Sequence, residues 1–242
     1  MHKPFEIRTA ADNLMLLEKV DQLARQSFTP FFFEGDQAVV RYWKEMMIRC
    51  RSFQFALFQE QELVGAGVTV PLYWDGTLTG LPETAESIYL PSAKEPNVLC
   101  ALAALIPPEH QGKGISPYVL NAMKSLARQH GFSSLIVPVY PHHKSNYPLV
   151  PMERYMHWRR GDGLPFDPWI RVHWRLGGKI LKIMPKASVV RGTIERWERW
   201  SGLRFLDSGL YIVPETINPV QIDLEKNEGI YIEPNVWMEH FA

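Results

Sequence analysis

The chain has 242 residues, of which 46% are hydrophobic and 21% are charged, a composition typical of a globular protein and not of a disordered or fibrous one. Its 26 Lys and Arg residues balance 26 Asp and Glu residues, and the zero formal charge argues against a nucleic acid or a membrane surface as partner. The two cysteines, Cys50 and Cys100, lack metal-ligand spacing and are typical of a reduced, cytoplasmic protein.

Hydrophobic periodicity predicts a mixed α/β domain. In chain order we expect a strand at 5–9, a helix at 11–26, a break at 28–35, a helix at 38–51, a hairpin of strands 53–58 and 64–72, a loop at 76–94, a strand at 98–106, a helix at 116–130, a strand at 135–140, helices at 151–158 and 169–176, a strand at 179–184, a helix at 193–200, and strands at 210–213, 220–224 and 230–233.

Neither a signal peptide nor a membrane span is evident, because the first ten residues are charged and no long apolar run follows. We divide the chain into a domain at 1–184, with an insertion at about 141–166, and a C-terminal extension at 185–242 that packs on the same domain.

The segment 106–116 carries the clearest functional signal. A charge-free apolar strand ends at two prolines, a glycine-rich turn follows, and a helix begins at Ser116. Backbone amides at such a helix N-terminus form an anion site, which the helix dipole strengthens. Gly112 and Gly114 allow close approach of a ligand, and Lys113 adds a positive charge.

Three other interpretations of the segment 106–116 compete with this anion site. A Rossmann fingerprint requires a third glycine where Pro117 stands, and a P-loop requires Ser or Thr directly after Gly-Lys. The third alternative is a tight strand-to-helix turn that binds no ligand.

The motif resembles the pyrophosphate-binding pattern of the GNAT superfamily of acyl-CoA-dependent N-acyltransferases, which is Gln or Arg, two residues, Gly, one residue, then Gly or Ala. Gln111 and Gly114 match, Ser116 departs from the last position, and the preceding Pro108-Glu109 is also usual. The resemblance implies that coenzyme A pyrophosphate binds six residues: Gln111, Gly112, Lys113, Gly114, Ile115 and Ser116.

The resemblance also implies a fold and the rest of the cofactor site. The expected fold is α/β, a mixed GNAT-like sheet with a helical insertion and a β-rich C-terminal extension. In that family the strand before the loop separates from the next strand, and the pantetheine arm pairs with the free backbone there. Leu105 and Ile106 would provide those backbone groups, and Asn146 resembles an Asn that contacts coenzyme A.

Three residues are candidates for acid–base catalysis. The family often places a Tyr acid shortly before a Leu-Gly-Phe-like helix end, and His173, before Arg175-Leu-Gly-Gly178, occupies that position. Tyr155 in the insertion is the second candidate acid. The strand 98–105 contains no carboxylate, unlike that of many relatives, so Glu34 is our candidate base, in a loop that borders the acceptor site in that family.

These expectations lead to a working hypothesis. The protein would transfer an acyl group, for which acetyl is the first candidate, from acetyl-CoA or another acyl-CoA to a small-molecule amine or amino-acid-like acceptor. No metal is expected, because the adjacent His142 and His143 lack a carboxylate at ligand spacing. The alternatives are a non-catalytic acyl-CoA-binding or sensing module and a partner subunit with a degenerate site. Exposed C-terminal strands could pair two copies into a homodimer.

Overall fold

The strands of the described residues form one mixed sheet. The computed structural model describes residues 5–11 and 13–241. The prediction that the first ten residues are not a signal peptide therefore falls partly outside the described residues. The strands in chain order are β1 (Glu6–Thr9), β2 (Phe55–Gln59), β3 (Glu62–Leu72), β4 (Val98–Leu105), β5 (Ser134–Val139), β6 (Lys179–Gly192), β7 (Gly209–Tyr211), β8 (Val220–Asp223) and β9 (Glu228–Phe241).

The helices cover both faces of this sheet. They are α1 (Leu14–Ser27), α2 (Pro30–Gly35), α3 (Gln37–Arg49), α4 (Glu86–Tyr89), α5 (Ser116–Gln129), α6 (Met152–Tyr155), α7 (Pro168–Arg175) and α8 (Ile194–Ser201). Side chains cap four of them at the N-terminus, namely Asn13 at α1, Asp36 at α3, Asp167 at α7 and Thr193 at α8. Among the described residues no helix has the length and apolarity that crossing a membrane requires.

The strand β4 is buried on both faces, as its charge-free sequence predicts. Cys100 belongs to the core cluster that contains the apolar stripes of α1 and α3. Its neighbours Leu99 and Ala101 belong to the cluster that contains the stripe of α5. Successive residues of a strand point to opposite faces, so helices on both sides require an apolar residue at every position.

The sheet order is β1-β2-β3-β4-β5-β9-β8-β7 for the described residues, and β6 lies along the other side of β9. Among the described strands only the β4–β5 pair is parallel, with α5 as its crossover. The last strand therefore lies in the interior of the sheet, where residues 236–241 pair with β5. Residues 193–227 connect β6 to β9 and contribute α8, β7 and β8. The division at residue 184 stays a prediction, and that residue lies within β6.

Four elements differ from the sequence-based expectation. The strand expected at 230–233 is the 14-residue β9, which spans Glu228–Phe241. The expected break at 28–35 contains the helix α2, where Pro30 occupies the first turn, a position that suits its fixed φ. The expected loop at 76–94 contains α4. The strand β6 was expected to end before Pro185 but continues to Gly192, because a register shift between Met184 and Ser188 accommodates the proline.

Candidate active site

The turn between β4 and α5 requires glycine at two positions. Gly112 and Gly114 both have φ = +73°, a conformation that costs other residues about 1–2 kcal/mol. A Cβ at either position would meet no heavy atom within 4 Å, so the backbone conformation and not crowding explains the glycines. The open space also leaves room for a ligand against the backbone.

The amides of residues 112–116 are available for an anion. Among the described residues none of these N–H groups donates a hydrogen bond, and the loop is exposed up to Gly114. They lie at the N-terminus of the 14-residue helix α5, whose dipole favours negative charge. The exposed Lys113 lies within the same turn, so the geometry suits a phosphate group.

Gln111 couples the turn to the end of β4. Its side-chain amide donates a hydrogen bond of 3.2 Å to the carbonyl of Ile106. The same residue stands at the first fixed position of the predicted motif. In this structure it therefore holds the turn in place, and its predicted contact with pyrophosphate stays a prediction.

The strands β4 and β5 separate beyond Cys100. Their ladder consists of the pairs Leu99↔Leu135 and Cys100↔Ile136, whereas β3 pairs with β4 from Val98 to Leu105. Among the described residues, the edge of β4 that faces β5 thus has no partner strand from residue 101 onward. Buried backbone groups need hydrogen-bond partners, so an extended ligand can pair along this edge.

The remaining predicted cofactor residues lie around this opening. Leu105 is buried at the end of β4, and Ile106 is half-buried directly after it. Ile115 is buried under the turn and Ser116 is the first residue of α5. Asn146 is exposed in the short 3₁₀ turn that follows β5.

Tyr155 lies in an aromatic cluster of the insertion. It is buried, and its hydroxyl donates to Asp167 Oδ2 at 3.1 Å. Burial is the main cause that raises the pKa of Tyr155 above its usual value, and the charge of Asp167 adds to it. The ring packs against Tyr147, Trp158 and Phe166. The raised pKa keeps the hydroxyl protonated but makes it a weaker proton donor, and its catalytic role stays a prediction.

His173 lies in a buried pair with His240. Nδ1 of His173 and Nε2 of His240 are 2.9 Å apart, so one ring donates to the other. Burial, and then the neighbouring ring, lower the pKa of His173, and burial also lowers the pKa of His240. Both rings are therefore neutral at neutral pH. His173 as the acid stays a prediction, for which a neutral imidazole is a weaker donor than an imidazolium.

Glu34 lies at the end of α2 and is bound to α8. Its Oε2 atom accepts from Trp200 Nε1 at 2.9 Å and from Arg199 at 3.0 Å. The hydrogen bond from Trp200, followed by the guanidinium of Arg199, holds the pKa of Glu34 below its usual value. A weaker base results, so the geometry favours a positioning contact between α2 and α8, and the role of Glu34 as base stays a prediction.

The sequence analysis missed a carboxylate on the last strand. Glu233 lies on β9 directly opposite Ser188 of β6, and Tyr231 donates to its Oε2 atom at 3.0 Å. Asp36, at the N-terminus of α3, accepts from the Ser188 hydroxyl and so lies next to this pair. A sequence signal did exist, because Glu233 is an acidic residue at the end of a predicted strand.

No group of three or more His, Cys, Asp and Glu side chains could hold a metal ion in the described part of the chain. Instead, the turn 112–116 places free backbone amides beside an open edge of β4.

Comparisons with known proteins agree with this geometry. The acetyltransferase (GNAT) family model matches residues 17–150, more than half of the chain. Arginine N-acetyltransferase avaD of Aspergillus versicolor is 28% identical over 247 residues, which cover 88% of this chain and 85% of that protein.

Solved structures show the same fold. The loading GNATL domain of CurA from Lyngbya majuscula superposes with a TM-score of 0.65 at 19% identity, covering 99% of this chain and 98% of the other. The GphF GNAT-like decarboxylase, solved with isobutyryl-CoA, has a TM-score of 0.57 at 18% identity and covers 98% of both chains. The chain thus belongs to the acetyltransferase (GNAT) family and is an N-acyltransferase.

Proposed function

We propose that the protein transfers an acetyl group from acetyl-CoA to the amine of a small, amino-acid-like acceptor, for which arginine is the first candidate. The observation that carries the proposal is the juxtaposition of the unpaired amides at 112–116 with the unpartnered edge of β4. The similarity to an arginine N-acetyltransferase over most of both chains supports the choice of acceptor.

In this proposal the cofactor is bound mainly by backbone groups. The pyrophosphate lies against the amides of the turn, with Lys113 beside it, because oriented N–H groups and a helix dipole favour negative charge. The pantetheine arm lies along β4 at Leu105 and Ile106, where it replaces the missing strand. Asn146, after β5, contacts the cofactor from the opposite wall.

The chemistry then requires alignment more than strong activation. The deprotonated acceptor amine attacks the thioester carbonyl, a C–N bond forms, and the C–S bond breaks with release of the coenzyme A thiolate. Holding the two reactants in an attack geometry contributes a large part of the acceleration. A base that removes the amine proton and an acid that protonates the thiolate contribute the rest.

Calorimetric titration with acetyl-CoA, followed by an assay of coenzyme A release with arginine and other amines, tests this proposal. Gly114→Val should abolish binding, because a side chain at φ = +73° displaces the turn and fills the space in front of it. Gly131→Val is the matched control, since Gly131 has φ = +72°, has no heavy atom within 4 Å of a Cβ, and lies beyond the other end of α5.

The outcomes separate the alternatives. Turnover that depends on Gly114 and not on Gly131 supports the transferase. Tight binding without transfer to any amine favours the binding or sensing module. Absence of binding at millimolar acetyl-CoA contradicts both. Comparison of acetyl-CoA with longer acyl-CoA esters then defines the acyl group.

A further inference from the structure

We infer that Glu233 is the general base that accepts the proton of the acceptor amine. This inference rests on the proposed acyl transfer and assigns to it a residue that the motif does not reach. It follows from the position of Glu233 in the sheet, from its hydrogen bonds and from its neighbours.

Glu233 lies in a part of β9 that pairs with β6 on one side and is open on the other in the described sheet. β9 pairs with β5 over residues 236–241 and with β8 over residues 228–230. In the part of the chain that the structure describes, residues 231–235 therefore have no strand on that side of β9. Glu233 lies at the centre of this interval, just beyond the last pair of β5, which is Val139↔Val236. The interval continues the opening that begins where β4 and β5 separate.

Residues of neighbouring elements interact electrostatically with Glu233. The charge of Glu233 acts on the hydroxyl of Tyr140, which directly follows β5, and on that of Tyr89 in α4. Tyr89 belongs to the same core cluster as Cys100, the last residue of β4 that pairs with β5.

The carboxylate of Glu233 can accept a further hydrogen bond. Within the described residues it accepts one hydrogen bond, from Tyr231, and it is only partly buried. The other acidic side chains near the opening are saturated. Asp36 accepts from two amides of α3, from the Val189 amide and from the Ser188 hydroxyl.

Asp167 is saturated in the same way. It accepts from the Tyr155 hydroxyl and from three backbone amides, those of His143, Trp169 and Ile170. A carboxylate oxygen with a free lone pair is what a base for an incoming amine requires.

The surroundings also make Glu233 a stronger base than an ordinary carboxylate. Burial raises the pKa of Glu233 to about 7, the hydrogen bond from Tyr231 lowers it, and the charge of Asp36 raises it further. The titratable groups that face it are Tyr231 on its own strand, Asp36 before α3, Tyr140 after β5 and Tyr89 in α4. All are acids, and none supplies a positive charge that would hold the proton off.

In the reaction, the N–H proton of the amine moves to the free oxygen of Glu233 while the nitrogen lone pair forms the C–N bond. The C–S bond breaks, its electron pair leaves with sulfur, and the thiolate takes a proton from water or from a general acid. Glu233 then releases its proton to solvent, so atoms and charge balance. Tyr231 is a positioning residue, fixed by the amide of Ile217, which donates to its hydroxyl at 3.1 Å.

The decisive experiment measures kcat against pH at saturating acetyl-CoA and amine for the wild type, Glu233→Gln and Glu239→Gln. The first variant retains an acceptor for the Tyr231 hydroxyl, and the second makes the same chemical change elsewhere on β9. We expect Glu233→Gln to lower kcat by about 10²- to 10⁴-fold and to abolish the acidic limb of the profile, with acetyl-CoA affinity by calorimetry unchanged. Glu239→Gln should retain both the rate and the limb.

A second variant guards against a purely structural effect. Tyr231→Phe removes the hydrogen bond that both orients Glu233 and lowers its pKa, so the acidic limb should move to higher pH and kcat should fall, by less than in Glu233→Gln. The inference would be overturned if the wild type is active and Glu233→Gln retains its activity and its pH profile. It would also be overturned if Glu34→Gln, and not Glu233→Gln, loses the acidic limb. A wild type that binds acetyl-CoA without turning over would overturn the proposed function and this role together.

Discussion

The buried pair of His173 and His240 predicts a loss of stability in mild acid. Both imidazoles are buried, 2.9 Å apart, and their pKa values are lowered by burial, so both are neutral in the folded protein. In the unfolded chain each takes up a proton below its ordinary pKa of about 6.5. The free energy of unfolding is therefore highest above about pH 6.5 and falls as the pH decreases from there toward the lowered pKa values of the folded state.

The size of the effect follows from the pH interval. At pH 5 each unfolded imidazole lies about 1.5 pH units below its pKa, and each unit corresponds to about 1.4 kcal/mol. The two residues together should therefore lower the free energy of unfolding by about 4 kcal/mol between pH 7 and pH 5. Urea unfolding, followed by circular dichroism at both pH values, measures this difference.

A double variant isolates the pair from the other titrating groups. His173→Gln with His240→Gln keeps two polar side chains that can bond to each other, but neither titrates. We expect the wild type to lose about 4 kcal/mol more than the double variant between pH 7 and pH 5. Equal losses in the two proteins would refute the reasoning, because the histidines would then be protonated in the fold or accessible to water.

Three further predictions follow from individual contacts. Lys144→Met should lower the free energy of unfolding by about 2–4 kcal/mol in urea titrations, because the buried ammonium donates to three backbone carbonyls. Gly229→Ala should lower the melting temperature by several degrees more than Gly209→Ala, because its Cβ would lie 2.2 Å from the Trp197 ring, whereas Gly209 has open space. Tyr155→Phe should lower kcat with little change in KM if the hydroxyl protonates the thiolate, and unchanged kcat would exclude that role.

Local patterns predicted the elements that build the cofactor side of the site. The apolar run before Pro107 predicted the buried strand β4, and the three- and four-residue spacing after it predicted α5. The glycine-rich sequence before Ser116 predicted a tight turn, and the structure has one in which Gly112 and Gly114 both have φ = +73°. All of these features depend on neighbours in sequence, so the chain itself contains the information.

Long-range pairing explains what the sequence did not reveal. The strand β9 pairs with β5, β6 and β8, which lie up to about a hundred residues away along the chain, and no short pattern encodes that register. Glu233 becomes a site candidate only through that register, which places it opposite Ser188 and beside Asp36. Glu34 and His173 were chosen by position along the chain, and their contacts could be known only from the fold.

The insertion and the segment between β6 and β9 are held together beyond the C-terminal end of β5. Lys144, after β5, donates to the carbonyl of Ile217, and the Tyr140 hydroxyl donates to the carbonyl of Glu215. The Ile217 amide in turn fixes Tyr231, which donates to Glu233. The same short segment that closes this end of the cleft therefore orients the proposed base. Sequence changes at 213–219 should consequently alter acceptor choice and the pH profile together, while the binding of acetyl-CoA at the turn 112–116 remains intact.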